Sequence, residues 1–239
     1  MAAQHSAPDA ANEELVGKAI RESGRGLQPD EHPTIIDTWK EMEKLLDTGK
    51  VNTIGVSNFS VKTLETLRSH CKIVPAVNQV EMHPCLPQND LKEYCDAKGI
   101  LLTAYSPFGV SALVRFYKRN LHIPFTGQGN RLFFDDSDFI SVAKAHGAAV
   151  AQVAVAWALQ RNTSVIPKSA NPERTKTNIT ETQIIHLTPE EMELIDDIHK
   201  KPGMHRSLLD YHPSEGDNVF GWTYEQLGWP MKAGGIVVS

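Results

Sequence analysis

Val51-Asn-Thr-Ile-Gly-Val56, a short β-branched run that stops at Ser57-Asn58, opens the stretch that decides the fold, and that stretch ends at Gly109. Ser57 and Asn58 favour turns and helix caps over strand interiors, so the spacing predicts a strand over 51–56 and a helix starting there. Val61, Leu64 and Leu67 follow at intervals of three, the period of an amphipathic helix. Pro75-Ala-Val-Asn-Gln-Val-Glu81 predicts a second strand at 76–81. After it Asn89 caps a helix with Leu91, Tyr94 and Cys95 on one face, and Gly99 stops it. Ile100-Leu-Leu-Thr-Ala-Tyr105 predicts a third strand, ending at Ser106-Pro107. Strands alternating with helices across short loops imply parallel pairing, because each helix is the crossover that returns the chain.

Polar residues gather at the ends of these strands: Ser57 with Asn58, Gln79 with Glu81 and His83, and Tyr105 with Ser106. Ligands of α/β folds bind at that end. Capping alone would also select Ser57 and Asn58, and packing alone Tyr105, so spacing leaves both readings open.

Working outward, residues 1–11 are small and polar and predict a flexible N-terminus. Asn12 to Glu22 predicts a helix whose apolar face is Leu15, Val16, Ala19 and Ile20. A polar loop holding His32-Pro33 leads directly to a second helix at 34–46, with no strand between. Val110 to Phe134 reads as an irregular loop that mixes cations with aromatics, suited to lie over a ligand pocket. Paired helices are expected at 138–146 and 148–162, and a fourth strand at 164–168. Beyond that strand Asn171 caps a helix with Pro172 at its first position, so Lys168, Ser169, Arg174 and the helix N-terminus together suit a phosphate. Solvated surface charges fit the same spacing. Thr188-Pro-Glu-Glu191 opens the last clear helix with a capping box. The tail from 201 to 239 is turn-rich yet carries Tyr211, Phe220, Trp222, Tyr224 and Trp229, which points to packing or to a lid over a site.

A net charge of -5 and the lack of a basic run argue against a nucleic-acid surface. The longest apolar run, Val150 to Leu159, is too short to span a bilayer, so no membrane segment is expected. Only Cys71, Cys85 and Cys95 occur, a sparse set that fits a reducing, cytoplasmic setting. His83, Cys85 and Cys95 match no zinc spacing, and no metal site is expected.

Taken together, Ile54-Gly-Val-Ser-Asn-Phe59, Val77-Asn-Gln-Val-Glu81 with His83-Pro84, Thr103-Ala-Tyr-Ser-Pro107, and Ile166-Pro-Lys-Ser169 with Arg174 and Asn178 resemble the signatures of the aldo-keto reductases. The likeness covers roughly residues 12–200, and the tail is similar to that of fungal members such as glycerol-dehydrogenase-like reductases. Members of this family are (β/α)8 barrels that reduce aldehydes or ketones with NADPH. The resemblance implies NADP(H) as cofactor, a small-molecule carbonyl as substrate, and one family-like domain over 1–239. It also implies roles residue by residue. Ser57, Asn58 and Gln79 would hold the nicotinamide carboxamide, and Tyr105 would stack on its ring. Ser106, Pro107, Phe108 and Gly109 would line the pyrophosphate. Lys168, Ser169 and Arg174 would bind the 2′-phosphate, and Asn178 the adenine.

The chain departs from the pattern where the family's acid–base residues belong. Asn12-Glu-Glu14 resembles the segment after the family's tyrosine, but Asp9-Ala-Ala11 precedes it, and the segments for the family's Lys and His are not found. The catalytic residues are therefore left unassigned. The expected fold is an incomplete (β/α)8 barrel with about four parallel strands, and its open edges predict an oligomer or an edge-capping partner. The expected function is a weak or inactive NADP-dependent reductase. The alternative is a catalytically dead NADP-binding or regulatory relic, or a truncated gene product.

Overall fold

Four short parallel strands form one sheet in the order β1 (Val56–Ser57), β2 (Val77–Glu81), β3 (Leu101–Tyr105), β4 (Ser164–Val165). They belong to a computed structural model that describes residues 30–109, 132–169, 171–180, 184–209 and 211–238. Ser57 lies opposite Gln79, Gln79 opposite Thr103, Thr103 opposite Ser164, and Glu81 opposite Tyr105. The register therefore brings the polar strand ends to one rim.

Both outer strands are shorter than the sequence predicts, and each has a local cause. Ala76 N still donates to Ile54 O, but at Gly55 the backbone comes so close to β2 that a Cβ would lie 2.7 Å from the Val77 carbonyl. Regular pairing starts only past that glycine. At the other edge Ile166 N donates to Ala104 O, and Pro167 then has no N–H to continue the ladder.

Helices α1 (Ile35–Lys44), α2 (Val61–Arg68), α3 (Asn89–Ala97), α4 (Ser137–Ala145), α5 (Val150–Gln160), α6 (Pro172–Thr180) and α7 (Pro189–Asp196) follow the expected order. Two starts differ from expectation. Ser60, not Ser57 or Asn58, caps α2, in a reciprocal box with Thr63. Gln88 precedes α3 in left-handed backbone without a side-chain cap, because Asn89 Oδ1 instead accepts from Arg161 at 2.7 Å. Leu64, Leu67, Cys95, Phe139, Val153, Trp157 and Ile195 are fully buried and join Val80, Leu102 and Ala104 in the core between sheet and helices. Strand alternation turns Gln79, Glu81, Thr103 and Tyr105 to the opposite face.

The tail meets that second face with two hairpins, β5 (Asn218–Val219) with β6 (Trp222–Thr223) and β7 (Met231–Lys232) with β8 (Ile236–Val237), and a short helix, α8 (Tyr224–Leu227). Within the expected 110–134 loop, Leu132–Asp135 is a 3-10 turn with Phe133 wholly buried, an apolar anchor and not loop. The rest of that loop, the N-terminus and the 12–22 helix lie outside the described residues. Among the described residues no single helix is long and apolar enough to cross a membrane.

Candidate functional site

Asn58 and Ser106, the residues that leave β1 and β3, both adopt left-handed backbone, with φ of 61° and 47°. Asn tolerates that region and serine rarely does, so tertiary contacts hold these turns. Ser57 is buried, and its Oγ donates to the Gln79 carbonyl at 2.9 Å, which also accepts from Asn58 N at 2.9 Å. Tyr105 donates its hydroxyl to Asn58 Oδ1 at 3.0 Å. The Gln79 side-chain amide is half-buried and makes no hydrogen bond among the described residues. The rim beyond Tyr105 closes as a tight turn in which Gly109 N donates to Ser106 O at 2.8 Å, with Phe108 edge-on to Phe134.

One turn past β4, Lys168 and Arg174 are exposed, and their side chains form no ion pair or hydrogen bond among the described residues. Ser169 Oγ accepts from Asn171 N at 3.1 Å, and Asn171 Oδ1 caps α6 by accepting from Arg174 N at 3.0 Å. These two cations lie at the start of a nine-residue helix whose first turn also carries Glu173.

Glu81 is the buried hub on the tail side. Its carboxylate accepts from Ser207 Oγ at 2.6 Å and from Leu208 N at 2.8 Å, and it pairs with His83 Nε2 at 2.8 Å. His83 is fully buried and stacks on Phe133. Tyr211, from the tail, stands on the same side of the sheet as Tyr105 and lines the same cavity. Burial, with the Glu81 charge beside them, pushes both tyrosine hydroxyls well above the usual phenol range. Asn58, Tyr105, Tyr211 and His212 share the wall of a cavity of about 430 Å³ between sheet and tail, with Phe59 and Trp229 among its apolar lining. Neither Lys168 nor Arg174 reaches it.

The sequence profile of the Aldo/keto reductase family matches residues 28–200. The chain belongs to this family. It is 42% identical over 191 residues to an aldo/keto reductase of Synechocystis sp., an alignment covering 80% of the chain and 52% of the relative. It is 38% identical over 189 residues to the glycerol 2-dehydrogenase (NADP(+)) of Hypocrea jecorina, covering 79% and 54%. The structure of an aldose reductase from Giardia lamblia superposes with a TM-score of 0.61 at 34% identity, over 74% of this chain and 54% of that one. The chain thus spans about half the length of the curated relatives it matches.

In this aldo/keto reductase the strand register draws Ser57, Asn58, Gln79 and Tyr105 into one cluster. Ser106 to Gly109 continue the rim, Lys168 and Ser169 follow β4, and Arg174 and Asn178 lie on the next helix, α6. What sequence reasoning did not reach is the Glu81–Ser207 pairing. The aromatic content of the tail signalled a covering segment but not which residues it covers.

Proposed function

We propose that this aldo/keto reductase chain binds NADP(H) at its strand ends and acts in the reduction of an aldehyde or ketone to an alcohol, with little or no turnover by the described residues themselves. The observation that carries the cofactor reading is the pairing of two clusters on one rim. A Gln79 amide and two cations that have no partner among the described residues stand at its ends, the first beside the Tyr105 ring and the others at a helix N-terminus. The donor set fits the group: Gln79 and Asn58 suit a carboxamide, and Lys168, Ser169 and Arg174 suit a phosphate monoester. Asn178 faces the adenine in this reading, and Ser57 positions Gln79 through its carbonyl. NADPH, when bound, supplies the hydride. A relative named as a glycerol 2-dehydrogenase (NADP(+)) supports the choice of cofactor.

Low turnover follows from the hydroxyls at hand. A proton donor works best with a pKa near the working pH. Tyr105 and Tyr211 are shifted the other way, and among the described residues no lysine or arginine lines the cavity beside them. A cofactor-binding chain without catalysis is the second reading, and this same shift favours it. The open edges of the sheet, with Ile166 exposed just after β4, support an oligomer or an edge-capping partner. Three free cysteines support a cytoplasmic setting.

NADPH and NADH titrations followed by cofactor fluorescence test the binding. Wild type should prefer NADPH, and Arg174→Ala should lose about 1.5–3 kcal/mol of NADPH affinity while leaving NADH nearly unchanged. Equal affinities for both cofactors in both proteins would sink the assignment. NADPH consumption over a panel of aldehydes, ketones and sugars decides between the two readings of turnover.

A further inference from the structure

The turn that leaves β3 is held in a conformation its own residues do not favour. Ser106 and Gly109 both sit in left-handed backbone, with φ of 47° and 71°, and a serine keeps that geometry only where the contacts around it fix it. Within the turn Gly109 N donates to Ser106 O, Pro107 has no N–H, and Phe108 N has no partner among the described residues. From outside, the tail supplies the fixing contact. Leu208 is 3% exposed and rests on Gly109 so closely that a Cβ there would come within 2.8 Å of Leu208 Cδ1 and 3.3 Å of its Cβ. Glycine admits both the close approach and the positive φ. Leu208 is itself seated by Glu81, the last residue of β2, whose Oε1 accepts from Leu208 N at 2.8 Å while Oε2 accepts from Ser207 Oγ at 2.6 Å. Ser207 N donates to Gly235 O at 2.8 Å, and Arg206 N to Cys85 O at 3.0 Å, which ties the segment to the turn between β7 and β8 and to the loop after β2.

We propose that Leu208, seated by Glu81, is a positioning residue for cofactor binding: it presets the 106–109 turn to receive the pyrophosphate of the dinucleotide. The proposal rests on the NADP(H) reading above and adds to it a residue from the tail. Its physical basis is preorganisation. A turn free to relax out of left-handed backbone must be rebuilt each time the dinucleotide binds, and that ordering subtracts from the affinity. Backbone N–H groups in a turn of this kind form a concave donor set for anions, and Phe108 N is the donor there without a partner among the described residues. The adenosine 2′-phosphate end gains nothing from the Leu208 contact, because Lys168 follows β4 and Arg174 lies on α6. Loss of Leu208 therefore weakens the whole dinucleotide and leaves the isolated phosphate end as it was.

Calorimetric titration of wild type, Leu208→Ala and Leu208→Met with two probes, NADP+ and adenosine 2′-monophosphate, tests this. The second probe carries the phosphate end and no pyrophosphate. Leu208→Ala should bind NADP+ about three- to tenfold more weakly than wild type, and Leu208→Met, which keeps the volume, should restore most of the affinity. The monophosphate should bind all three alike, which also shows that the variants are folded. If the alanine variant does not fold, Leu208→Val carries the same comparison with a smaller loss. On the unmodified protein, hydrogen exchange should slow at 106–109 and at 205–209 together when NADP+ binds, and at neither when the monophosphate binds. Unchanged NADP+ affinity in Leu208→Ala, an equal loss for both probes, or protection of 106–109 without 205–209 would overturn the positioning role while leaving the cofactor site standing. Failure of either probe to bind wild type would overturn the cofactor reading and the positioning role with it.

Discussion

Truncating Glu81 would orphan three polar partners at once, Ser207 Oγ, Leu208 N and His83 Nε2, all in a buried setting. Each unsatisfied donor costs about 1–3 kcal/mol, so Glu81→Ala should lower the unfolding free energy by about 3 kcal/mol or more in urea melts. A loss under 1 kcal/mol would show that water replaces the carboxylate. Asn78 is the second such residue. It is fully buried, its Nδ2 donates to Phe59 O at 2.8 Å, and its Oδ1 accepts from Phe59 N at 3.3 Å, so it staples the loop that carries Asn58 to β2. At this scale the sequence was half legible. Glu81 stood out as a charged residue at a strand end, but Ser207 lies 126 positions away, and no local pattern encodes a partner at that distance. Ser57 and Asn58 were visible for the wrong structural reason: they bond across to Gln79 and Tyr105, and the cap is Ser60.

Helix starts read well from sequence because capping is a contact over three residues. Thr188 Oγ1 accepts from Glu191 N, and the Glu191 carboxylate accepts from Thr188 N and meets His146 Nε2 at 2.9 Å, which ties the start of α7 to the end of α4. Thr188→Ala should cost about 1 kcal/mol in a thermal or denaturant melt. At α1 the Asp37 carboxyl is pushed down to about 2, first by the Thr34 backbone N–H, then by the Thr34 hydroxyl and His32. A folded pKa below the unfolded value means stability that is present above about pH 3.8 and lost as pH falls toward 2. The advantage of wild type over Asp37→Asn should therefore shrink across that window; a gap that stays constant to pH 2 would contradict the assignment. Strand ends read poorly by comparison. A close approach at Gly55 and a missing N–H at Pro167 are decided by the neighbouring strand, which periodicity does not see.

At the scale of the molecule, the tail and the sheet meet across histidines that favour the neutral state. Burial lowers the pKa of His205, with His199 adding to the effect, and burial likewise lowers that of His212. Unfolded histidine titrates near 6.5, so below that pH the unfolded chain binds more protons, and stability falls as pH drops through the folded values. Tail docking, followed by Trp229 and Trp222 fluorescence, should loosen as pH falls below about 6.5, before the sheet melts. Replacing both histidines with Gln should flatten that response.

The bond between Glu81 and Ser207 also orders events in time. A ribosome delivers the strand ends, with their ligand-binding rim, well before it delivers the residues that cover them. During synthesis the rim therefore stands uncovered until the tail has been made.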